Sequence, residues 1–144
     1  MLIKEIMCKA PTCCTPETML PEVARMMLEH DCGAIPVCNG TALVGVITDR
    51  DIVCRAMAIR PDLKTTRAAD AMTSPVVTVN DNDSIQRAVS LMAENKVRRL
   101  PVVKDGVLVG MLTQADLAEH LPLAEIGSLV RKVSASTRRP LLAV

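Results

Sequence analysis

The chain contains no phenylalanine, tyrosine or tryptophan. That absence removes base stacking on aromatic rings, the usual platform for single-stranded nucleic acid. It also leaves the core to Val, Leu, Ile, Ala and nine Met. Net charge is nearly absent as well, at +1 over 144 residues, which argues against a chain-wide field for nucleic acid or acidic substrates. A basic tail around Arg131, Lys132, Arg138 and Arg139 is a weak case for DNA at this charge. No apolar run approaches the ~18 residues of a membrane span. The opening Met-Leu-Ile-Lys-Glu-Ile lacks a basic region followed by an apolar stretch, so no secretory signal is visible and a cytoplasmic location is expected. No nucleophile–base constellation, metal motif or recognisable carboxylate pair points to an enzyme.

What is present occurs twice. Residues 43–52 read Leu-Val-Gly-Val-Ile-Thr-Asp-Arg-Asp-Ile, and residues 108–117 read Leu-Val-Gly-Met-Leu-Thr-Gln-Ala-Asp-Leu. A gapless shift of 65 residues also pairs Met7 with Met72, Met27 with Met92, Glu29 with Glu94, and Pro36-Val37 with Pro101-Val102. Two copies of a short unit are a duplication, not an array. Each copy is too small to bury its apolar face well alone, so packing between copies is expected. The boundaries read as repeat 1 over 3–57, a linker over 58–68 containing Arg60-Pro61-Asp62, repeat 2 over 69–122, and a helix and tail over 123–144.

Within each copy the order is strand, helix, strand, strand, helix, an α+β pattern. In the first, Leu20, Val23, Ala24, Met27 and Leu28 form one apolar stripe over a helix at 18–30, with Thr18 as N-cap and Pro21 in the first turn. Ala34–Cys38 and Leu43–Ile47 are strands around an Asn39-Gly40 turn, with Pro36 expected at a strand start or unpaired edge. A helix from Thr48 places Ile52, Val53, Ala56 and Met57 on its apolar face. In the second copy Val76–Val79 is a strand, and Asp83 with Gln86 reads as a capping box. Strands follow at 100–103 and 107–112, then a helix from Thr113 to about Leu121 and a further short helix at 123–133.

Six cysteines, at 8, 13, 14, 32, 38 and 54, all lie in the first half. No Cys-x-x-Cys spacing signals a zinc site. Cys14, Cys32 and Cys38 occupy the positions of Val79, Val97 and Val103, so small buried hydrophobes are one reading. The other makes Cys13, Cys14 and Cys38 candidates for a disulfide or thiolate metal site, with Cys14 the preferred partner of Cys38. His30 and His120 read as helix-end partners of the dipole.

The element order, the Ile-Pro-Val and Leu-Pro-Val strands and the paired Gly-x-x-Thr-x-x-Asp stretches resemble a tandem pair of CBS domains, or Bateman module, over residues 3–122. Glu29–Pro36 and Thr48–Val53 are especially similar to the small stand-alone CBS-pair proteins of actinobacteria. The resemblance implies two β-α-β-β-α repeats packed through their sheets with pseudo-two-fold symmetry. It also implies a regulatory module, often a homodimer, acting on an effector protein in trans and needing no cofactor. Its clefts commonly take AMP, ADP, ATP or another adenosine compound. By resemblance Thr48 and Asp51 serve one cleft and Thr113 and Asp116 the other. Ile35-Pro36 and Leu100-Pro101 would wall the base, with Val77 and Thr78 contributing.

Chemistry gives those residues roles. A carboxylate accepts from two vicinal ribose hydroxyls, while a Thr hydroxyl and helix N-terminal N–H groups suit phosphate. Gly45 and Gly110 would let the backbone approach a ligand or facing strand. Arg98 and Arg99 could clamp a phosphate; their counterparts are Gly33 and Ala34, so an anion should prefer the second copy. The same Thr-x-x-Asp pattern is also a helix cap with a carboxylate at N3. An interaction protein with empty clefts is therefore the alternative.

Overall fold

In a computed structural model, residues 1–59 and 62–135 are described. The elements in chain order are α1 (Ile3–Ile6), β1 (Cys8–Lys9), α2 (Leu20–Glu29), β2 (Ala34–Asn39), β3 (Ala42–Thr48) and α3 (Asp49–Asp51). A π-helical segment, Ile52–Met57, and a 3-10 turn, Leu63–Thr65, follow. Then come α4 (Ala68–Ala71), β4 (Val79–Asn80), α5 (Ile85–Asn95), β5 (Arg99–Lys104), β6 (Val107–Thr113), α6 (Gln114–Ala118) and α7 (Leu123–Ser134). Arg60-Pro61 of the linker and Arg138-Arg139-Pro140 of the tail lie outside the described residues.

The chain forms two compact units. Unit 1 is residues 1–9, 77–102 and 110 onward; unit 2 is residues 10–76 and 103–109. Each unit thus holds the lead-in of the other copy. In unit 1, β1 pairs antiparallel with β6 at Cys8↔Met111. In unit 2 the residues 65 positions away repeat the pairing, as a bridge between Thr73 and Val46. Ile3 N–H donates to Asp83 O at 2.9 Å, and Ala68 N–H to Thr18 O at 2.7 Å, again 65 positions apart at both ends. Backbone bonds of this kind fix the lead-ins irrespective of side chain.

This exchange explains both repeated strand glycines. A Cβ at Gly45 would stand 2.5 Å from Met72 Sδ and 3.2 Å from Thr73 O, and one at Gly110 would overlap Met7 Sδ. The close approach foreseen at these glycines is to the lead-in methionine. Met7/Met72 and Gly45/Gly110 recur at one offset, so the two contacts are equivalent.

In unit 2, β2 pairs antiparallel with β3, Ile35 opposite Ile47 and Pro36 opposite Val46. Pro36 sits inside β2, not at its start. Its missing N–H costs nothing, because on that side β2 meets only an isolated parallel bridge, Cys14↔Val37. Leu20, Val23, Ile35, Val37 and Ile47 are core, with Ala68 and Ala71 of the exchanged α4. In unit 1, β5 lies between β4 and β6, and Ile3, Leu100, Val102, Leu112 and Leu117 are fully buried.

Several local expectations need correction. The N-cap of α2 is Met19, without a side-chain cap; Thr18 Oγ1 instead accepts Thr15 N–H at 3.0 Å. Pro21 does lie in the first turn. The N-cap of α5 is Ser84, because Asp83 turns back to accept Asn80 N–H at 3.0 Å. After α3 the chain widens into a π-helix, so its facing departs from the 3.6-residue period. Ala56 is buried there, but Val53 and Met57 are exposed. β4 is only Val79–Asn80, shorter than the 76–79 strand expected. The Thr113 helix ends at Ala118, short of Leu121. The further helix at 123–133 is present as α7.

Candidate ligand-binding site

Both Thr-x-x-Asp stretches form reciprocal capping boxes. Asp51 N–H donates to Thr48 Oγ1 and Thr48 N–H to Asp51 Oδ2, each at 3.0 Å. In the second copy Asp116 N–H donates to Thr113 Oγ1 at 3.2 Å, and Thr113 N–H to Asp116 Oδ2 at 2.7 Å. There the Thr113 hydroxyl also donates to Asp116 Oδ2, at 2.8 Å. Strand sterics bring each Thr to the strand end in extended conformation, and the helix begins at the next residue.

The next N–H is also satisfied alike: Asp49 N–H donates to Gly33 O at 3.1 Å and Gln114 N–H to Arg98 O at 2.8 Å. After that the junctions diverge. Asp49 Oδ1 accepts Arg50 N–H at 2.8 Å, placing a carboxylate on the first junction's donors. The second has a neutral Gln114, whose buried Oε1 has no hydrogen-bond partner among the described residues. Asp51 also meets Arg55 Nε at a loose 3.8 Å, an exposed pair of little energetic weight.

The structure divides the foreseen ligand residues by unit. Thr48, Asp51, Ile35 and Pro36 belong to unit 2, with Ala34 opposite Thr48 in the β2–β3 register. Thr113, Asp116, Arg98, Arg99, Leu100, Pro101, Val77 and Thr78 belong to unit 1. Arg98 is exposed and Arg99 half-buried, while Ile35, Pro36, Leu100 and Pro101 are buried. Val77 and Thr78 are half-buried and precede β4.

The cysteines are brought together in unit 2. Cys14 N–H donates to Pro36 O at 3.0 Å, and Cys38 N–H to Cys14 O at 2.9 Å, so Cys14 lies beside β2. Cys14 and Cys38 are buried; Cys13 and Cys54 are exposed. Burial first, then the nearby Cys13, pushes the Cys38 thiol up to about 12. Burial first and Cys13 second push Cys14 up to about 11. The Cys13 thiol donates to Pro11 O at 3.3 Å. Among the described residues no group of three or more His, Cys, Asp or Glu stands together to hold a metal. His30 Nε2 meets Thr12 Oγ1 at 3.3 Å, and His120 Nδ1 meets Asp116 O at 2.9 Å, across one helical turn.

The CBS domain model matches residues 3–57 and 68–123. The chain belongs to the CBS family. It is 38% identical over 131 residues to Hypoxic response protein 1 of Mycobacterium tuberculosis, covering 90% of this chain and 92% of that one. A crystal structure of Hypoxic Response Protein I with two coordinated zinc ions superposes with a TM-score of 0.78 at 39% identity, over 85% of this chain and 100% of that chain. CBSX2 in complex with AMP gives 0.72 at 26% identity, over 82% and 93%. No helix among the described residues is long and apolar enough to cross a membrane.

Proposed function

We propose that this CBS pair is a non-catalytic regulatory module. It senses AMP, ADP, ATP or another adenosine compound and, as a homodimer, signals to an effector protein in trans. The carrying observation is the Thr–Asp junction, kept in both units with matching hydrogen bonds, in a family where a relative was solved with AMP. Asp116 accepts the ribose hydroxyls in exchange for the Thr113 hydroxyl it holds now, and Arg98 or Arg99 meets the phosphate. The neutral Gln114 favours an anion at the unit 1 junction, whereas Asp49 repels one in unit 2.

Calorimetry with each nucleotide tests this, together with a dye-based thermal shift, since the chain lacks aromatic residues. AMP, ADP or ATP should bind and raise the melting temperature. Asp116→Ala should abolish the binding heat while Asp51→Ala retains it. No heat and no shift up to millimolar nucleotide overturns the sensing reading.

A second reading, an interaction protein with empty clefts and a cysteine disulfide or metal site, is favoured by the main-chain bonds that set Cys14 beside Pro36 and Cys38. This reading takes Cys13, Cys14 and Cys38 as candidates for a disulfide or a metal site, although among the described residues no group of three or more His, Cys, Asp or Glu stands together. Thiol counting on the unreduced, denatured protein separates the cases: four free thiols support the bridge, and all six cysteines free reject it.

A further inference from the structure

We propose that Met7 and Met72 are a matched pair of oxidation sites, where a peroxide converts the thioether to the sulfoxide and frees the lead-in that carries it. The inference goes beyond the proposed function and does not depend on a bound nucleotide. Each sulfur lies against a strand glycine of its own unit. A Cβ at Gly45 would stand 2.5 Å from Met72 Sδ and 3.0 Å from its Cγ, and one at Gly110 would overlap Met7 Sδ. The sulfur is thus what fills the notch above each glycine. A thioether suits that notch, being apolar and polarizable. A sulfoxide does not: it is bulkier and polar, and the notch is already full. The other atoms bordering the notches are carbonyl oxygens, Thr73 O in unit 2 and Cys8 O in unit 1. Both are acceptors and give a sulfoxide oxygen nothing to bond to.

Accessibility sorts the nine methionines. Met27, Met92 and Met111 are buried, out of reach of a solute while the chain is folded. Met1, Met19 and Met57 are 61%, 42% and 64% exposed, so a sulfoxide on any of them is largely hydrated. Met7, Met26 and Met72 are half-buried. Met26 has Leu91 at its matching position, whereas Met7 and Met72 match each other. Met7 and Met72 combine partial exposure with a sulfur seated on strand backbone.

What these sulfurs hold is short. The unit 1 lead-in is α1 and the two-residue β1; the unit 2 lead-in is α4 and a single bridge, Thr73↔Val46. Thr73 N–H donates to Val46 O at 2.8 Å and Val46 N–H to Thr73 O at 3.1 Å, one residue beyond the methionine. Segments with so few bonds open locally at low cost once a packed side chain is lost. The residues they brace, Val46 of β3 and Met111 of β6, stand two positions before Thr48 and Thr113. Release therefore loosens the strands that carry the Thr–Asp junctions.

The step balances with the peroxide alone. A sulfur lone pair takes one peroxide oxygen, the O–O bond breaks and an S=O bond forms. Sulfur loses two electrons. The proton of the transferred hydroxyl moves to the departing oxygen, which leaves as water.

Peptide mass mapping after graded hydrogen peroxide, with amide hydrogen exchange on the same samples of the full chain, tests this. Wild type should gain one oxygen at Met1, Met19 and Met57 first, then at Met7 and Met72, with Met27, Met92 and Met111 still thioethers. The second stage should speed exchange around Val46–Thr73 and Cys8–Met111 by about tenfold or more. Met7→Leu with Met72→Leu keeps the side-chain volume without an oxidisable sulfur, and should show no such gain at the same dose. Its cysteines and exposed methionines are those of wild type, so they are controlled for. Met7→Leu alone should protect the unit 1 lead-in and leave Thr73 responsive. Sulfoxides at Met7 and Met72 with unchanged exchange overturn the proposal. So does an equal gain in the double variant, and so does resistance of both sulfurs until the whole chain unfolds.

Discussion

Units 1 and 2 share a backbone plan to the level of single hydrogen bonds, yet differ in what finishes them. Unit 1 is sealed: α7 lies on α5 and α6, and Leu117 and Leu129 are almost completely buried. Unit 2 has, among the described residues, no counterpart of α7, runs through a π-helix where unit 1 has α6, and holds Cys13, Cys14 and Cys38. The difference teaches that the frame is set by main-chain bonds and strand pairing, which duplication preserves. The surfaces diverge by substitution at a few positions.

The largest expected effect comes from matched truncations. Leu117→Ala empties a fully buried site and should cost about 2–5 kcal/mol in denaturant unfolding. Its counterpart Ile52→Ala removes a half-buried side chain and should cost below about 2 kcal/mol. Equal costs would mean that unit 2 is as well sealed as unit 1.

Next comes the lead-in contact. Gly45→Ala drives a Cβ onto Met72 Sδ and toward Thr73 O, and should cost about 1–3 kcal/mol. Met72→Ala in the same chain should recover part of that loss, a coupling that a double-mutant cycle reads directly. Strict additivity would show that Met72 is not what excludes the Cβ.

The caps are smaller. Thr48→Ala and Thr113→Ala each remove one cap acceptor and should each cost about 0.5–2 kcal/mol. Thr113→Ala should be the costlier of the two, since its hydroxyl also donates to Asp116. The reverse order would break the electrostatic distinction drawn between the junctions.

The remaining effect emerges only in alkali. Cys14 and Cys38 have native thiol values raised from 9.0 to about 11 and about 12. The unfolded chain releases these protons first, so their contribution to stability is intact below pH 9 and declines as pH rises toward 11 and 12. Cys14→Val with Cys38→Val, which places there the residues of the second copy, Val79 and Val103, should flatten that decline in reduced protein. An unchanged slope would remove the buried thiols as its cause.

The fold was legible because the repeat was legible: strand glycines, prolines and Thr-x-x-Asp recur at one offset, and α2, β2, β3, α5, β5, β6 and α7 follow from periodicity and turns. The exchange of lead-ins was not read, although Met7 and Met72 were matched, because a short segment carries no mark of which sheet it joins. The Thr18 and Asp83 caps failed for a related reason. Both side chains had closer backbone partners in the preceding turn, which competed for the same oxygen.

The exchanged lead-ins have a consequence for how this chain can be divided. A single cut in the linker yields no self-sufficient half. The N-terminal piece keeps Gly45 but loses Met72, and carries a Met7 segment whose partner strand is on the other piece. Each fragment is at once a donor and an acceptor, so split halves are built to recombine with each other rather than to fold apart. A lone repeat would face the same arithmetic and could be completed by another lone repeat. The tandem chain is then a reciprocal swap made permanent by a peptide bond, and its linker serves as a tether that fixes stoichiometry.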